Sequence, residues 1–224
     1  MARQVKSRQR VTEFGEVFTN EREINAMLDL VKAETERIES RFLEPACGNG
    51  NFIAEVLRRK LAVVASRYRR SPQEYQRYAF LAVSSIYGVE IQSDNAQECR
   101  ERLFDIVEKD ARLAIRGAVE PTFLDAVRYV LEKNILCGDA LTLKDANGEP
   151  ITFAEWSLVT GDLVKRRDFL LSELLESGAG KNEQTSMFGE TNTPWMFDME
   201  TQSYIPAPVR EYPPVDYREV GRNG

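Results

Sequence analysis

The sequence contains no histidine, only three cysteines, and no apolar run near the ~20 residues of a membrane-spanning helix. Without histidine, the chain cannot carry Ser-His-Asp or Cys-His catalysis, or a histidine-ligated metal, on its own residues. Cys47, Cys99 and Cys137 are odd in number and widely spaced, which predicts reduced thiols rather than a disulfide framework or zinc site. We therefore expect a cytoplasmic protein with no metal, no export signal and no membrane partner.

The composition is that of an ordinary globular protein, with 42% apolar and 29% charged residues in a chain of 224. The formal net charge of -6 argues against strong DNA binding by the whole surface, because such binding depends on neutralising phosphates with Lys and Arg. Local basic clusters are nevertheless present. They lie at Arg3–Arg10, at Arg58–Lys60 together with Arg67–Arg70, and at Lys165–Arg167.

The most informative segment is Phe42-Leu-Glu-Pro-Ala-Cys-Gly-Asn-Gly-Asn-Phe52. A short apolar strand here ends in an acid, opens into a glycine turn, and is followed at once by a helical pattern. Gly48 and Gly50 carry no Cβ, so they allow positive φ angles and close approach of a ligand to the backbone. A strand, glycine turn and helix in this order are typical of the entrance to a nucleotide-type pocket.

Apolar segments of strand and helix type alternate along the first three quarters of the chain. Strands are predicted at 41–44, 85–91, 134–139 and 156–162, and helices at 51–65, 72–82, from near Asp94, and at 121–133. The alternation predicts an α/β fold with a parallel sheet in the order 3-2-1-4 and helices on both faces. We expect one domain over residues 1–176 and an extended or partly disordered tail over 177–224, where aromatic residues stand without periodicity.

Ligands of doubly wound sheets bind outside the carboxyl ends of the strands. The polar residues that follow each predicted strand are therefore expected to converge on one pocket. They are Glu44 to Phe52 after the first strand, Glu90 and Ile91 after the second, Asp139 and Ala140 after the third, and Asp162 after the fourth.

The run Glu44-Pro-Ala-Cys-Gly-Asn-Gly-Asn-Phe52 resembles the S-adenosylmethionine loop of DNA adenine-N6 methyltransferases, the modification subunits of restriction systems. The usual form in that family is Asp/Glu-Pro-Ala-Cys-Gly-Ser-Gly-x-Phe. The resemblance implies a Rossmann-like, S-adenosylmethionine-dependent methyltransferase fold, here with a truncated sheet and an irregular C-terminal arm. It also implies DNA methylation in a restriction-modification or phage-defence system.

The same resemblance suggests roles for individual residues. Glu90, in Gly88-Val-Glu90, would accept hydrogen bonds from the ribose hydroxyls, and Asp139, in Cys137-Gly-Asp139, from the adenine amino group. Upstream, Phe14 would stack on the cofactor and Thr19 would bind its carboxylate. The predicted cofactor-binding residues are Phe14, Thr19, Glu44, Pro45, Ala46, Cys47, Gly48, Gly50, Phe52, Glu90, Ile91, Asp139 and Ala140.

The sequence departs from the family at its fourth strand. Adenine-N6 methyltransferases end that strand in Asn/Asp/Ser-Pro-Pro-Tyr/Phe, which holds the target amine and stacks on the flipped base. This chain has Asp162-Leu-Val-Lys165 instead, so Asp162 is the only candidate catalytic residue and Lys165 stands in place of the ring. Weak or absent methylation by the isolated chain is therefore expected.

Three functions remain open. The first is a methyltransferase acting on DNA, alone or with a restriction, specificity or helicase subunit that supplies missing parts. The second is an inactive structural or cofactor-sensing subunit of such a complex. The third is a methyltransferase acting on a small molecule or a protein.

Overall fold

The computed structural model describes residues 19–178, 195–198 and 203–222. Within them, the α-helices are α1 (Glu21–Leu30), α2 (Lys32–Thr35), α3 (Asn51–Tyr68), α4 (Pro72–Ser84), α5 (Ser93–Ala114), α6 (Pro121–Asn134) and α7 (Leu171–Gly178). The strands are β1 (Phe42–Glu44), β2 (Ile86–Glu90), β3 (Ile135–Asp139), β4 (Lys144–Asp145), β5 (Thr152–Thr160), β6 (Leu163–Leu170), β7 (Trp195–Asp198), β8 (Ser203–Pro206), β9 (Arg210–Glu211) and β10 (Val215–Asp216). A 3₁₀ helix covers Tyr217–Glu219. In these described ranges, no helix is both long and apolar enough to cross a membrane.

The central sheet has the order β1-β2-β3-β4, with the first three strands parallel and β4 antiparallel at the edge. Phe42 of β1 is in register with Ile86 of β2, and Gly88 of β2 is in register with Ile135 of β3. Helices α3 and α4 connect β1 to β2, and α5 and α6 connect β2 to β3. The first three predicted strands and the α/β class are therefore confirmed.

Local sequence signals explain where the helices begin. The Asn20 side chain accepts a hydrogen bond from the Glu23 amide at 3.0 Å and caps α1. Ser71 caps α4, whose first residue is Pro72, a residue that suits this position because it lacks an amide hydrogen. Helix α5 begins at Ser93, one residue before the predicted Asp94, with Gln92 as its cap residue.

The two faces of the sheet are covered differently. Ile86 and Ile135 belong to the larger core cluster, which they share with buried residues of α1, α3, α4, α5 and α6. Alternate residues of β2 point to the other face, where a smaller cluster lies. It consists of Tyr87, Val89, Ile151, Phe153 and Leu171. Strand β5 and α7 therefore cover this second face, where the sequence predicts a second layer of helices.

A buried lysine joins the starts of β1 and β2. The Lys60 ammonium, on α3, donates to the Ile38 carbonyl at 3.0 Å, the Ser85 hydroxyl at 2.5 Å and the Ser40 carbonyl. Burial lowers the pKa of Lys60 to about 7, from an ordinary value of 10.5. The lysine thus satisfies polar groups of two loops inside the core.

The predicted fourth parallel strand is wrong. Strands β5 and β6 form an antiparallel hairpin, with Phe153 in register with Phe169, and β5 pairs with no other strand of the described residues. Residues 140–151 hold β4 and a turn rather than the helix that a parallel crossover requires. Only Gly161 and Asp162 separate β5 from β6, and Gly161 has a φ of 55°, a turn conformation that lets β6 pair directly back onto β5.

The C-terminal residues also differ from the expected extended tail. Strand β9 and strand β10 both pair with β6, and the described segment 206–222 packs on the domain. Tyr217 is completely buried in the larger core cluster, and Val220 is buried beside it. A single buried aromatic residue produces no periodic pattern, so the sequence could not reveal this packing.

Candidate functional site

A cavity of about 920 Å³ lies at the carboxyl ends of β1, β2 and β3, a size within the usual range for small-molecule sites. Its lining includes every predicted cofactor-binding residue except Gly50 and Phe14, and Phe14 lies outside the described residues. The lining consists of Thr19, Met27, Glu44, Pro45, Ala46, Cys47, Gly48, Asn49, Asn51, Phe52, Glu90, Ile91, Gln92, Asn95, Gly138, Asp139, Ala140, Leu141 and Leu175.

The glycine loop is held in a tight turn between β1 and α3. The Cys47 amide donates to the Val89 carbonyl at 3.0 Å, and the Gly50 amide donates to the Cys47 carbonyl at 2.9 Å. Gly48 and Gly50 have φ angles of 54° and 85°, a region that favours glycine. A Cβ on Gly50 would lie 2.6 Å from the Cys99 sulfur, so Gly50 packs the loop on α5 instead of lining the cavity.

Glu90 connects the end of β2 to this loop. One carboxylate oxygen accepts the Gly48 amide at 2.9 Å, and the other accepts the Gln92 amide at 2.9 Å. The Asn95 side chain lies 3.5 Å from the second oxygen, and Glu90 is buried. Because each carboxylate oxygen can accept two hydrogen bonds, the group retains acceptor capacity toward the cavity.

The start of α3 contributes polar groups without a side-chain cap. Gly50 occupies the cap position, and the first turn of α3 contains no acidic residue, so the positive end of the helix dipole is not compensated there. The Asn49 side chain donates to Glu98 at 3.0 Å, while its Oδ1 atom is buried with no hydrogen-bond partner among the described residues. An unpaired buried acceptor in a cavity wall suits a donor group of a ligand.

The two remaining acids of the lining differ in their surroundings. Burial raises the pKa of Glu44, partly offset by a hydrogen bond from the Ala46 amide. Asp139 accepts the Leu141 amide at 2.8 Å in a turn after β3, and its second oxygen has no partner in the described residues. Both carboxylates can therefore accept further hydrogen bonds from a ligand.

Apolar side chains flank the opening between β2 and β3. Ile91 follows β2 and is 56% exposed, and Leu141 follows β3 and is 95% exposed. Both line the cavity. Exposed apolar residues at the mouth of a cavity are suited to cover a flat ring of a ligand.

Cys47 is a buried thiol in the cavity wall. Its hydrogen bond with Cys99, and then burial, raise the pKa of its thiol above the ordinary value. A thiol that stays protonated is a poor nucleophile. Cys47 therefore contributes packing, since a Cβ on Gly88 would lie 2.9 Å from its sulfur.

Asp162, the predicted catalytic residue, does not line the cavity. It lies in the β5–β6 turn, where its carboxylate accepts hydrogen bonds from Gln73 at 2.9 Å and Arg218 at 3.1 Å. Arg77 approaches it at 3.6 Å. Lys165 pairs with Glu211 at 2.8 Å. The ion pairs give Asp162 a structural role at this turn.

The sequence-based prediction missed several lining residues. Asn49 and Asn51 belong to the glycine run and could have been found by including its variable positions. Gln92 and Asn95 lie two and five positions after Glu90, at the start of the helix that follows β2, so their proximity was predictable from the order of the elements. Met27 and Leu175 come from distant parts of the chain, and no local signal marks them.

Comparisons with protein-family models, with curated proteins and with solved structures found no match to this chain. Among the described residues, no group of three or more Cys, Asp and Glu side chains is arranged to hold a metal ion.

Proposed function

We propose that this chain binds S-adenosylmethionine in the cavity, and that β1, β2 and β3 are the cofactor half of a Rossmann-like methyltransferase sheet. The observation that carries the proposal is the bond between Glu90 and the Gly48 amide. It joins a carboxylate after the second strand to a glycine loop after the first, at the wall of a 920 Å³ cavity. The loop is the segment that resembles the cofactor loop of DNA adenine-N6 methyltransferases.

The residues present fit the adenosine part of the cofactor. Glu90 has acceptor capacity for the ribose hydroxyls, beyond the two backbone amides that it already binds. The second oxygen of Asp139 is available for the adenine amino group. Ile91 and Leu141 supply exposed apolar surface on either side of these two acids for the faces of the ring.

The residues also fit the methionine part. The Asn49 Oδ1 atom is an acceptor without a partner, which suits an ammonium group. The uncapped start of α3 favours a carboxylate, and Glu44 is an acid that could face a sulfonium. When bound, the cofactor supplies an activated methyl group on sulfur.

We further propose that the methyl acceptor is adenine in DNA and that a second polypeptide completes the site. None of the lining residues comes from 156–170, where the family has its base-binding motif. Asp162 is engaged by Gln73 and Arg218. A restriction, specificity or helicase subunit is therefore the expected source of the missing groups.

The engaged state of Asp162 equally supports a second function, that of a cofactor-sensing subunit without activity of its own. Methyl transfer distinguishes the two functions. Labelled S-adenosylmethionine is incubated with mixed-sequence DNA and the chain, alone and with co-purified partners. Transfer that requires a partner supports the assisted enzyme, whereas binding without transfer in every combination supports the sensing subunit. Calorimetry that detects no binding of S-adenosylmethionine would overturn both.

A further inference from the structure

The basic clusters of the sequence differ in the structure in whether their charges are compensated. In the first half of the largest cluster, Arg59 pairs with Asp29 at 2.9 Å, Arg58 pairs with Glu55 at 3.3 Å, and Lys60 is buried. These charges are therefore not available to a partner.

The cluster at 165–167 is compensated in the same way. Each of its three cations pairs with a carboxylate within 2.8 Å. The pairs are Lys165–Glu211, Arg166–Asp168 and Arg167–Glu155. Neither this cluster nor the 58–60 segment thus presents free positive charge.

The end of α3 is different. Arg69 and Arg70, directly after α3, and Arg116, after α5, line one groove of about 810 Å³. Within the described part of the chain, none of these three guanidinium groups has an ion pair or a side-chain hydrogen bond. Cations stabilise helix C-terminal ends by about 0.3–1 kcal/mol each, which accounts for one arginine per helix. It does not account for three unpaired arginines around one groove.

The rest of the groove does not cancel this charge. Among the described residues, Asp110 is the only acid in the lining, and its carboxylate accepts the Tyr75 hydroxyl at 2.5 Å. Leu113, also in the lining, is 87% exposed. Tyr68 directly precedes Arg69 and stacks on Tyr78, with ring centroids 3.9 Å apart. The groove therefore combines net positive charge with the exposed apolar side chain of Leu113, and the half-buried Tyr68 is the residue next to Arg69 without lining the groove itself.

We propose that this groove binds the phosphodiester backbone of a nucleic acid. The guanidinium fork matches two oxygens of one phosphate, and arginine is the usual residue for such contacts. Exposed apolar surface beside the cations, from Leu113, suits sugars and bases, which favours a nucleic acid over an acidic protein. Because the chain as a whole carries a net charge of -6, an anion is attracted to this local patch and repelled elsewhere.

The groove is separate from the cofactor cavity. Helix α3 begins in the glycine loop and ends at Tyr68, so its 18 residues hold the two sites about 27 Å apart. Binding in the groove therefore does not depend on the proposed function of the cavity. The two proposals can fail independently.

The test measures the salt dependence of binding by the full chain. Fluorescence anisotropy is recorded with a labelled mixed-sequence duplex of about 20 base pairs, and with one of its strands, between 50 and 300 mM KCl. Three phosphate contacts predict a slope of log K against log salt of about -2.7 for the duplex. Arg69→Ala and Arg116→Ala should each make the slope less steep by about 0.9, with weaker binding to every sequence.

Arg58→Ala is the matched control, because it removes one arginine of α3 whose charge is already paired with Glu55. It should leave the slope unchanged. Calorimetry with S-adenosylmethionine should give the same affinity for Arg69→Ala as for the wild type. The proposal is overturned if the wild-type protein binds neither the duplex nor the single strand at 50 mM KCl. It is also overturned if Arg69→Ala and Arg58→Ala have equal slopes of log K against log salt. Tighter binding to polyglutamate than to DNA would also overturn it, in favour of an acidic protein partner.

Discussion

Replacement of Glu90 by glutamine tests the cofactor proposal most directly. In the wild type, the two carboxylate oxygens accept the Gly48 and Gln92 amides, each at 2.9 Å. Glutamine has nearly the same shape but only one acceptor oxygen, so its NH₂ group must face one of these two donors. The variant therefore loses a charge-assisted hydrogen bond and the negative charge that would accept the ribose hydroxyls.

The expected loss of affinity for S-adenosylmethionine follows from the proposed hydrogen bonds between the ribose hydroxyls and the Glu90 carboxylate. A hydrogen bond to a charged group contributes about 1.5–3 kcal/mol, which corresponds to an increase of about 10- to 150-fold in the Kd for S-adenosylmethionine. The unpaired amide should lower the free energy of unfolding by about 1–3 kcal/mol as well. Affinity is therefore measured by calorimetry well below the melting temperature of the variant.

Glu101→Gln is the control for net charge. Glu101 lies on α5, where its carboxylate accepts the Gln97 side chain at 2.8 Å and no other side chain of the described residues, and it does not line the cavity. The control should bind S-adenosylmethionine like the wild type. Equal affinities for Glu90→Gln and the wild type would refute the assignment of the ribose site, and with it the argument from the glycine loop.

Three further predictions concern the fold around the site. Gly50→Ala should lower the free energy of unfolding by about 2–4 kcal/mol, because the φ of Gly50 is 85° and the new Cβ would lie 2.6 Å from the Cys99 sulfur. Gly148 has the same φ but open space around it, so Gly148→Ala should lower the free energy of unfolding by only about 1 kcal/mol. Urea titrations of both variants check this difference. Asp162→Asn weakens the pair with Arg218, so it should lower the melting temperature yet leave the affinity for S-adenosylmethionine unchanged in calorimetry; a loss of affinity would contradict the placement of Asp162. The pKa of Lys60 is about 7 in the folded chain and 10.5 in the unfolded chain, so the unfolded state binds more protons between these two pH values. The free energy of unfolding should therefore increase with pH in this range, by up to about 1.4 kcal/mol per pH unit. Urea titrations at pH 7, 8 and 9 should show this slope in the wild type and not in Lys60→Met.

The part of the fold that the sequence predicted is the part governed by local pattern. The strand before Glu44, the glycine turn and the strand before Glu90 each combine an apolar run with a turn signal, and each forms where expected. The topology of parallel strands then brings their carboxyl ends together without further information. This is why residues 42 positions apart, Gly48 and Glu90, could be assigned to one cavity in advance.

The features that the sequence did not predict depend on pairing between residues that are distant in the chain. The strand-type segment at 152–160 is compatible with parallel or antiparallel pairing, and only its pairing with β6 distinguishes the two. Likewise, Tyr217 is recognisable as a core residue only when β10 is paired with β6. The burial of Lys60 depends on two loops that are distant in sequence. The sequence therefore places Lys60 in a basic cluster, whereas in the structure it is a core residue.

One helix relates the cofactor cavity to the arginine groove. Because α3 starts at the glycine loop and ends beside Arg69, neither site can move along the helix axis relative to the other without breaking α3. The separation of about 27 Å equals roughly eight base steps of a duplex at 3.4 Å each. A nucleotide whose base reached the cavity would therefore be several steps away from the phosphates held in the groove. Contacts in the groove would then add affinity without contributing sequence information, since phosphates are the same for every base. Under the two proposals together, sequence recognition would come from residues near the cavity or from a second polypeptide, and residues 156–170 do not line the cavity.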